Sequence, residues 1–563
     1  MRQSRSPVIM RLASYLFTRL FELGAGHAFG IPGDLILPVY AELAHSPIRP
    51  ILTTHEPSAG FAADAYARLK GIGLAIGTYG AGALNMVNPI AQAYAEKSPV
   101  IVVSGAPALA GRSAELLIHH KVKTFETQRG IYEQLTAAAV ALEDPARASA
   151  DIDRVIDAVR REKRPGYVEI PCDLVGADIG EPSAAAVPVQ ERDEAALAEA
   201  MQEITTRLSR SRNPVILAGV EIMRLGLRDR LIQLAERYGL PVSTSFMGKA
   251  VFPEHHSHFI GTYMGAAGHP YSRRMVEEAD CLLMLGAWLT DTETGLFTSA
   301  IKRESMIQVL ANDIVISHHR YERVGLVEVM TALLAGRAIT PRTFKNEYVP
   351  DTTESRGGSL IAGVFAELSR LDDRGYVFTT DAGDCLFGSV ELHAELILNP
   401  GYYASMGFGV PAALGAGLAL PGRRPIALVG DGGFQMTGME IGTLVRYGVP
   451  AVVIVLNNRG YRSLEALGAP PAVCELPTWD YVAVAEALGA IGVRVGTRTG
   501  FRSALHAACE RPGVTLIEVL VDPSDRSATL DRLRAAVLSR RAAAGAPGNG
   551  SRSAGSDRSE TLA

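Results

Sequence analysis

Residues 425–461 read PIALVGDGGFQMTGMEIGTLVRYGVPAVVIVLNNRGY, and few folds accommodate them. An apolar run at 426–429 stops at Gly430-Asp431-Gly432. A helical segment follows, with Met439, Leu444 and Val445 as its inward candidates, and a second apolar run at 451–456 ends in Asn457-Asn458. Two short β-branched runs flanking a helix make a βαβ unit with parallel strands. A right-handed crossover brings the C-terminal ends of both strands to one edge. Asp431 and Asn458 should therefore emerge together, at the edge where open α/β sheets bind ligands.

An Asp carboxylate, an Asn carbonyl and a nearby backbone carbonyl are hard oxygen ligands suited to Mg2+ or Ca2+. Glycines at 430, 432 and 433 let backbone N–H groups approach a phosphate without hindrance from Cβ. GDG alone favours a plain strand pair with a glycine-rich turn. Asn-Asn at the next strand end, with Asn458 standing 27 residues after Asp431, tips the balance towards a site. The spacing resembles the GDG…NN fingerprint of thiamine diphosphate (ThDP) enzymes. By that resemblance Asp431, Asn458 and the Gly460 carbonyl hold Mg2+ on the diphosphate.

The chain has 563 residues, beyond the ~250–300 at which single cores stop growing, so several domains are expected. A net charge of −5 gives no electrostatic footprint for nucleic acid. Five scattered cysteines (Cys172, Cys281, Cys385, Cys474, Cys509) include no CxxC pair, and one must stay unpaired. That pattern suits a reducing cytoplasm rather than a disulfide framework or metal cluster. The first 22 residues are basic and then apolar, but Arg11, Arg19 and Glu22 interrupt them before a signal-peptide core forms. Val8, Leu12, Tyr15, Leu16 and Leu20 stand at helical spacing instead. No apolar run reaches the roughly 18 residues of a membrane span.

Three α/β blocks follow one another: 1–180, 190–345 and 356–535, with polar linkers at 176–196 and 335–355 and a Gly/Ser/Arg-biased tail, 541–563, expected to be disordered. Blocks one and three share an α/β plan on this reading. In the first block a short strand at 27–31 runs into Pro32-Gly33-Asp34, where Asp34 is a turn residue or more. A strand at 51–54 ends at His55-Glu56-Pro57, and Pro57 suits the first position of a helix. Glu56 is then a first-turn carboxylate favoured by the helix dipole, or a carboxyl aimed into a cleft. His119-His120 on a helix would diverge by about 100° and could not share one ligand, whereas on a loop they could. No HxxxH or cysteine partner supports zinc there.

GIPGD with Asp34, THEPSAGFAADAYAR with Glu56, TYGAGALNMVN, AYAEKSPVIVVSGAP and the HH pair together resemble the ThDP-dependent 2-oxo acid decarboxylases. The resemblance spans about residues 8–535. GDCLF (383–387), SFMGK (245–249), GTYMG (261–265) and LTDT (289–292) are most similar to phenylpyruvate and indolepyruvate decarboxylases. It implies three doubly wound parallel-sheet domains, pyrimidine-binding, central and diphosphate-binding, and a homo-oligomer (dimer or tetramer) with its active site between subunits. Glu56 and the GDG motif would then come from different chains. No nucleic acid or membrane partner is implied.

The same resemblance distributes roles. The cofactor's ylid attacks the keto carbon. Glu56 hydrogen-bonds the aminopyrimidine, Met406 wedges the cofactor into a bent form, the Ala404 carbonyl accepts from its amino group, and Asp384 touches the pyrimidine. Gly430, Gly432 and Gly433 lie along the diphosphate. Asp34, His119 and His120 carry the proton traffic. Where pyruvate decarboxylases place a Glu after the NN motif this chain has Leu464, with Glu465 one residue late. Asp291, in the LTDT loop, is carried as the substitute acid. Arg129-Gly130 stands where an apolar pair belongs, and a solvent-facing Arg129 is the favoured reading. Acetolactate synthase-like ligation and benzoylformate-type decarboxylation are the rivals within the cofactor class. A non-catalytic ThDP-binding protein is the rival outside it, and a dinucleotide-binding dehydrogenase is disfavoured by the lack of G-x-G-x-x-G after a strand.

Overall fold

The computed structural model describes residues 10–112, 116–182, 191–336, 339–350, 358–371 and 373–545. Three sheets follow one another along the chain. The first has six parallel strands, ordered Arg49–Leu52, His27–Gly30, Gly73–Gly77, Val100–Ala106, Gly166–Pro171, Ala138–Ala141. The third, also six-stranded and parallel, is ordered Ile397–Leu398, Tyr376–Thr380, Arg424–Gly430, Val452–Asn457, Thr515–Leu520, Ile491–Val495. Numbered within its own sheet, each runs 2-1-3-4-6-5, so the two blocks share one topology. In both, the chain reverses its direction of growth between strands one and three, which opens a crevice at their carboxyl ends.

The central sheet has seven strands: Phe259–Tyr263, Val242–Ser245, Pro214–Ala218, Cys281–Leu285, Met306–Val309, Asp313–Ile316, His319–Glu322. Its last two strands add antiparallel pairings at one edge of an otherwise parallel sheet. The two strands form a hairpin turned by Ser317 at φ +54.

The near-continuous Val/Ile/Leu runs of the parallel strands are buried on both faces, as such sheets require. One apolar core runs through the first and third sheets together, from Phe29, Ala62 and Tyr66 to Leu414, Ile441 and Val453. Two topologically equivalent helices, Glu56–Lys70 and Gly409–Ala419, cross at its centre. A Cβ on Gly415 would sit 2.1 Å from the Ala62 carbonyl oxygen, so only glycine permits this approach. Polar ties reinforce the seam. Leu52 N donates to Tyr447 OH (2.8 Å), and Thr54 N to the buried Glu440 (2.9 Å). Arg68, itself buried, bridges Asp64 and Glu96 and donates to the Asn399 carbonyl.

Four expectations change. Met439 is exposed rather than inward, because the helical segment breaks at Gly438–Met439 into Asp431–Thr437 and Glu440–Arg446. Glu194–Arg210 is helix, so the first linker ends earlier, and its residues 183–190 lie outside the described residues. The described part of the second linker is pinned to the central sheet: Ile339 is buried, Arg342 donates to the Leu208 carbonyl and Asn346 to the Phe259 carbonyl, while 337–338 and 351–355 lie outside the described residues. The helix Ala528–Gly545 enters the expected tail, whose residues 546–563 lie outside the described residues. Among the described residues no helix is long and apolar enough to cross a membrane, and the five cysteines are unpaired.

Candidate active site

At the carboxyl edge of the third sheet Gly430 pairs with Leu456 on the neighbouring strand. Asp431 follows, and its carboxylate accepts the N–H groups of Gly432 (2.8 Å) and Gly460 (2.9 Å). Burial pushes this carboxyl up to about 6, against the pull of those N–H groups. Of the two asparagines, Asn457 is internally bonded: Nδ2 donates to Glu518 (2.7 Å) and Oδ1 accepts from Arg459 N (3.3 Å). Asn458 Oδ1 is buried and makes no hydrogen bond. An unpartnered buried oxygen costs about 1–3 kcal/mol, and with the Asp431 carboxylate it forms a donor set that fits a hard divalent cation. The three glycines separate. A Cβ on Gly432 would meet the Tyr461 ring at 2.3 Å, and one on Gly433 would meet Asp381 Oδ1 at 2.7 Å, whereas Gly430 faces open space.

The equivalent edge of the first sheet brings together residues 85 positions apart. Asp34 follows the strand His27–Gly30, and its Oδ2 is hydrogen-bonded to His119 Nε2. The His119 and His120 rings meet edge to face at 4.7 Å, in a turn rather than a helix, with His120 at φ +68. Ligand atoms of all three residues lie within 4.8 Å of one another. Slight burial pushes the Asp34 carboxyl up, but the His119 bond and the Leu35 N–H outweigh it and leave the group below its ordinary value. His120 Nδ1 is buried without a partner. Gly80 makes room for this turn, since a Cβ there would lie 2.3 Å from the His120 carbonyl oxygen. The Gly80 N–H is held by Gln128 Oε1 at 2.7 Å, and Gln128 also donates to Ser104 and Tyr167.

Glu56 opens its helix with Pro57 behind it, and Asn85 Nδ2 donates to its carboxylate at 2.9 Å. The residue is half-buried, and no contact among the described residues joins it to Asp431 or Asn458. Ala404 sits at φ +58, exposed, next to buried Ser405 and half-buried Met406. Two sides hold this loop. From the first block, Glu96 accepts the N–H groups of Tyr402 and Tyr403, each at 2.9 Å, and Gln92 accepts that of Ser405. From its own sheet, Asp381 accepts those of Gly407 and Gly409.

Other candidates are placed differently. The Asp384 carboxylate is turned onto the N–H and hydroxyl of Ser527, and burial pushes it up to about 7. Asp291 is exposed and its carboxylate bonds its neighbour Thr292; none of its contacts reaches Asp34 or the histidines. Two residues on, Glu293 is buried. It ties the same loop to Ser245 Oγ and Met247 N, both at 2.9 Å. Leu464 is exposed on the short helix Arg462–Ala466, while Glu465 is paired with Arg462 at 2.6 Å. Arg129 lies 3.3 Å from Glu133 within one helix. Gln128, Glu96, Asp381 and Glu293 were not legible as site residues, because each works on backbone N–H groups or side chains brought from distant segments.

Family models match in the same order as the three sheets. An N-terminal thiamine pyrophosphate-binding domain matches residues 10–131, a central domain 201–336, and a C-terminal thiamine pyrophosphate-binding domain 387–519. The chain is 38% identical to indole-3-pyruvate decarboxylase of Azospirillum brasilense over 93% of this chain and 97% of that one. It is 31% identical to pyruvate decarboxylase of Neurospora crassa (92% and 94% covered). It is 30% identical to an alpha-keto-acid decarboxylase of Mycolicibacterium paratuberculosis (91% and 93% covered). With its two matching cofactor-binding domains and relatives aligned along almost their whole length, the chain belongs to the thiamine diphosphate-dependent 2-oxo acid decarboxylases.

Proposed function

We propose that this enzyme decarboxylates an aromatic 2-oxo acid, indole-3-pyruvate or phenylpyruvate, to the aldehyde and CO2, with Mg2+ as the partner metal, at a site shared by two copies of the chain. The observation that carries the reading is the Asp34–His119–His120 cluster at the switch point of a sheet whose topological twin bears Asp431 and Asn458. Bound ThDP would supply the nucleophilic carbon and the electron sink for the decarboxylation. The chain's residues do the rest. Asp431, Asn458 and the Gly460 carbonyl hold Mg2+ and the diphosphate, with Gly430 as the open approach. Glu56 from a second copy bonds the pyrimidine end, and the Ala404 carbonyl and Met406 set its orientation. His119, held by Asp34, moves the proton that ends in the aldehyde, with His120 beside it.

The half-exposed Glu56 supports a shared site, since its contacts within one chain stop at its own block. Leu464 supports an aromatic substrate, because an apolar side chain stands exposed where a carboxylate would repel a ring. The indole-3-pyruvate named for the Azospirillum relative agrees. The central sheet weighs against a flavin-carrying synthase. At its own switch point, between Pro214–Ala218 and Cys281–Leu285, a Cβ on Gly219 would lie 2.2 Å from the Gly286 carbonyl oxygen. The buried Glu221 fills the crevice, bonded to Lys97, Trp288 Nε1 (3.2 Å) and Ala311 N (2.8 Å). Domain limits of 1–180, 190–345 and 356–535, and a cytoplasmic enzyme with unpaired thiols, complete the reading.

The test is a panel of 2-oxo acids with ThDP and Mg2+, following aldehyde and CO2. Indole-3-pyruvate and phenylpyruvate should be turned over with higher kcat/KM than pyruvate. Rapid acetolactate formation without turnover of either aromatic acid would overturn the proposal.

A further inference from the structure

We propose that Asp381 is a positioning residue that locks the loop carrying Ala404 and Met406 to the first turn after Asp431, so that the two ends of the cofactor site are held at a fixed separation by one carboxylate. The inference rests on the reading above, in which that loop meets the pyrimidine end and Asp431 the diphosphate end.

The residue stands at the carboxyl end of Tyr376–Thr380, strand one of the third sheet, directly in the switch-point crevice. It is fully buried. Its two oxygens accept from three backbone donors. Ala382 N bonds Oδ1 at 2.9 Å, Gly407 N lies 2.9 and 3.0 Å from Oδ1 and Oδ2, and Gly409 N bonds Oδ2 at 2.9 Å. On its other side is the cradle, because a Cβ on Gly433 would fall 2.7 Å from Oδ1. One side chain therefore bonds the end of strand one and the loop 404–409, and lies so close to the turn 431–433 that Gly433 has no room for a Cβ.

The loop needs such a hold. Ala404 at φ +58 and Gly407 at φ +89 lie in the left-handed region, where a non-glycine residue is strained and surrounding structure must hold it. Thr379 Oγ1 donates to the Gly409 carbonyl and Thr437 Oγ1 to the Gly407 carbonyl, both at 2.8 Å, so the carbonyl side is held as well. A carboxylate is the group that can accept from all these N–H donors. An amide of the same shape would turn an NH2 towards at least one of them and leave a buried donor unpaired. The chemistry thus selects Asp over Asn at a place where no substrate atom needs to touch it.

The experiment measures ThDP affinity calorimetrically on the apoenzyme with Mg2+, and kcat and KM at saturating ThDP, for Asp381→Asn and Gly433→Ala. The second variant pushes on the same carboxylate from the cradle side. Each should weaken ThDP binding at least tenfold and lower kcat at least tenfold, while substrate KM changes less than threefold and thermal stability stays within a few degrees. Wild-type ThDP affinity and kcat in a folded Asp381→Asn protein would refute the inference. If that protein does not fold, wild-type affinity in Gly433→Ala refutes it instead. Asp431→Ala is run alongside. Unchanged ThDP binding there overturns the site reading itself, whereas a defect confined to Asp431→Ala overturns only the role of Asp381.

Discussion

Replacing Glu293 by Gln should make the protein more stable at alkaline pH while leaving it no better, or slightly worse, at acid pH. Glu293 is 2% exposed, and its Oε1 accepts from Ser245 Oγ and Met247 N. Burial pushes its carboxyl from 4.5 up to about 7, with those two hydrogen bonds pulling the other way. The folded-state value therefore lies above the unfolded one. Between about pH 4.5 and about 7 the folded enzyme keeps a proton that the unfolded chain has released, so stability falls as pH rises through that window. At 1.36 kcal/mol per pH unit the span from 4.5 to about 7 corresponds to about 3 kcal/mol. Gln keeps the shape and the Oε1 acceptor and removes the titration.

The assay is scanning calorimetry of both apoenzymes at pH 5 and pH 8. The wild type should match or exceed Glu293→Gln at pH 5 and fall several degrees below it at pH 8. Asp381 (about 6) and Asp384 (about 7) are raised by burial too and slope the same way, but they are common to both proteins and cancel in the difference. Melting curves that stay parallel from pH 5 to pH 8 would refute the argument. Activity separates shape from charge. Glu293→Gln should keep kcat within about threefold, because the loop bearing Asp291 stays tied, whereas Glu293→Ala releases it.

The remaining expectations concern the site and the seam. Glu56→Gln should lose most activity while Glu465→Gln, whose parent carboxylate is occupied by Arg462, retains it; turnover assays of both decide, and the reverse pattern shows the register to be wrong. Asp34→Asn should lower kcat by about 10²–10⁴, the range for general acid–base groups, with ThDP affinity unchanged by calorimetry. Leu464→Glu should raise the kcat/KM ratio of pyruvate over phenylpyruvate, read from competition between the two. Arg68→Met leaves the Asp64 and Glu96 carboxylates buried without their cation. Denaturant titration should show a loss of about 3–5 kcal/mol.

The fold was legible wherever its signal was local. Apolar runs at 215–218, 281–285 and 426–429 became Pro214–Ala218, Cys281–Leu285 and Arg424–Gly430, because buried parallel strands carry their burial in consecutive residues. The shared plan of blocks one and three was legible as well, and the strand orders are identical. Met439 misled because periodicity assumes an unbroken helix, and the break at Gly438 rotates it to the surface. The second linker misled for a related reason. Its composition is polar, but Arg342 and Asn346 use that polarity on carbonyls of the central block. At the site, Asp431, Asn458, Asp34 and the histidine pair announce themselves by type and spacing. Asp381 and Gln128 do not, since the donors they serve or hold arrive from 26 and 48 residues away.

The repeated topology explains how one architecture divides the chemistry. The end of strand one carries Asp34 in the first sheet and Asp381 in the third; the end of strand two leads to Glu56 in one and to the Ala404–Met406 loop in the other. The end of strand three leads to Gly80 beside the histidines in one and to Asp431 in the other. On the proposed reading, equivalent loops hold the proton-handling groups in one copy of the fold and the cation- and phosphate-holding groups in its twin. Within a chain the twins pack through the helices after strand two, Glu56–Lys70 against Gly409–Ala419. Thr54, two residues before Glu56, is fixed there on Glu440. That packing sets where the Glu56 carboxylate starts, and within the chain it is bonded to Asn85. On the proposal of a site shared by two copies, dilution to monomer should abolish turnover before it abolishes folding. Sedimentation and activity measured over one concentration series check this, and full activity of a monomer would overturn the shared site.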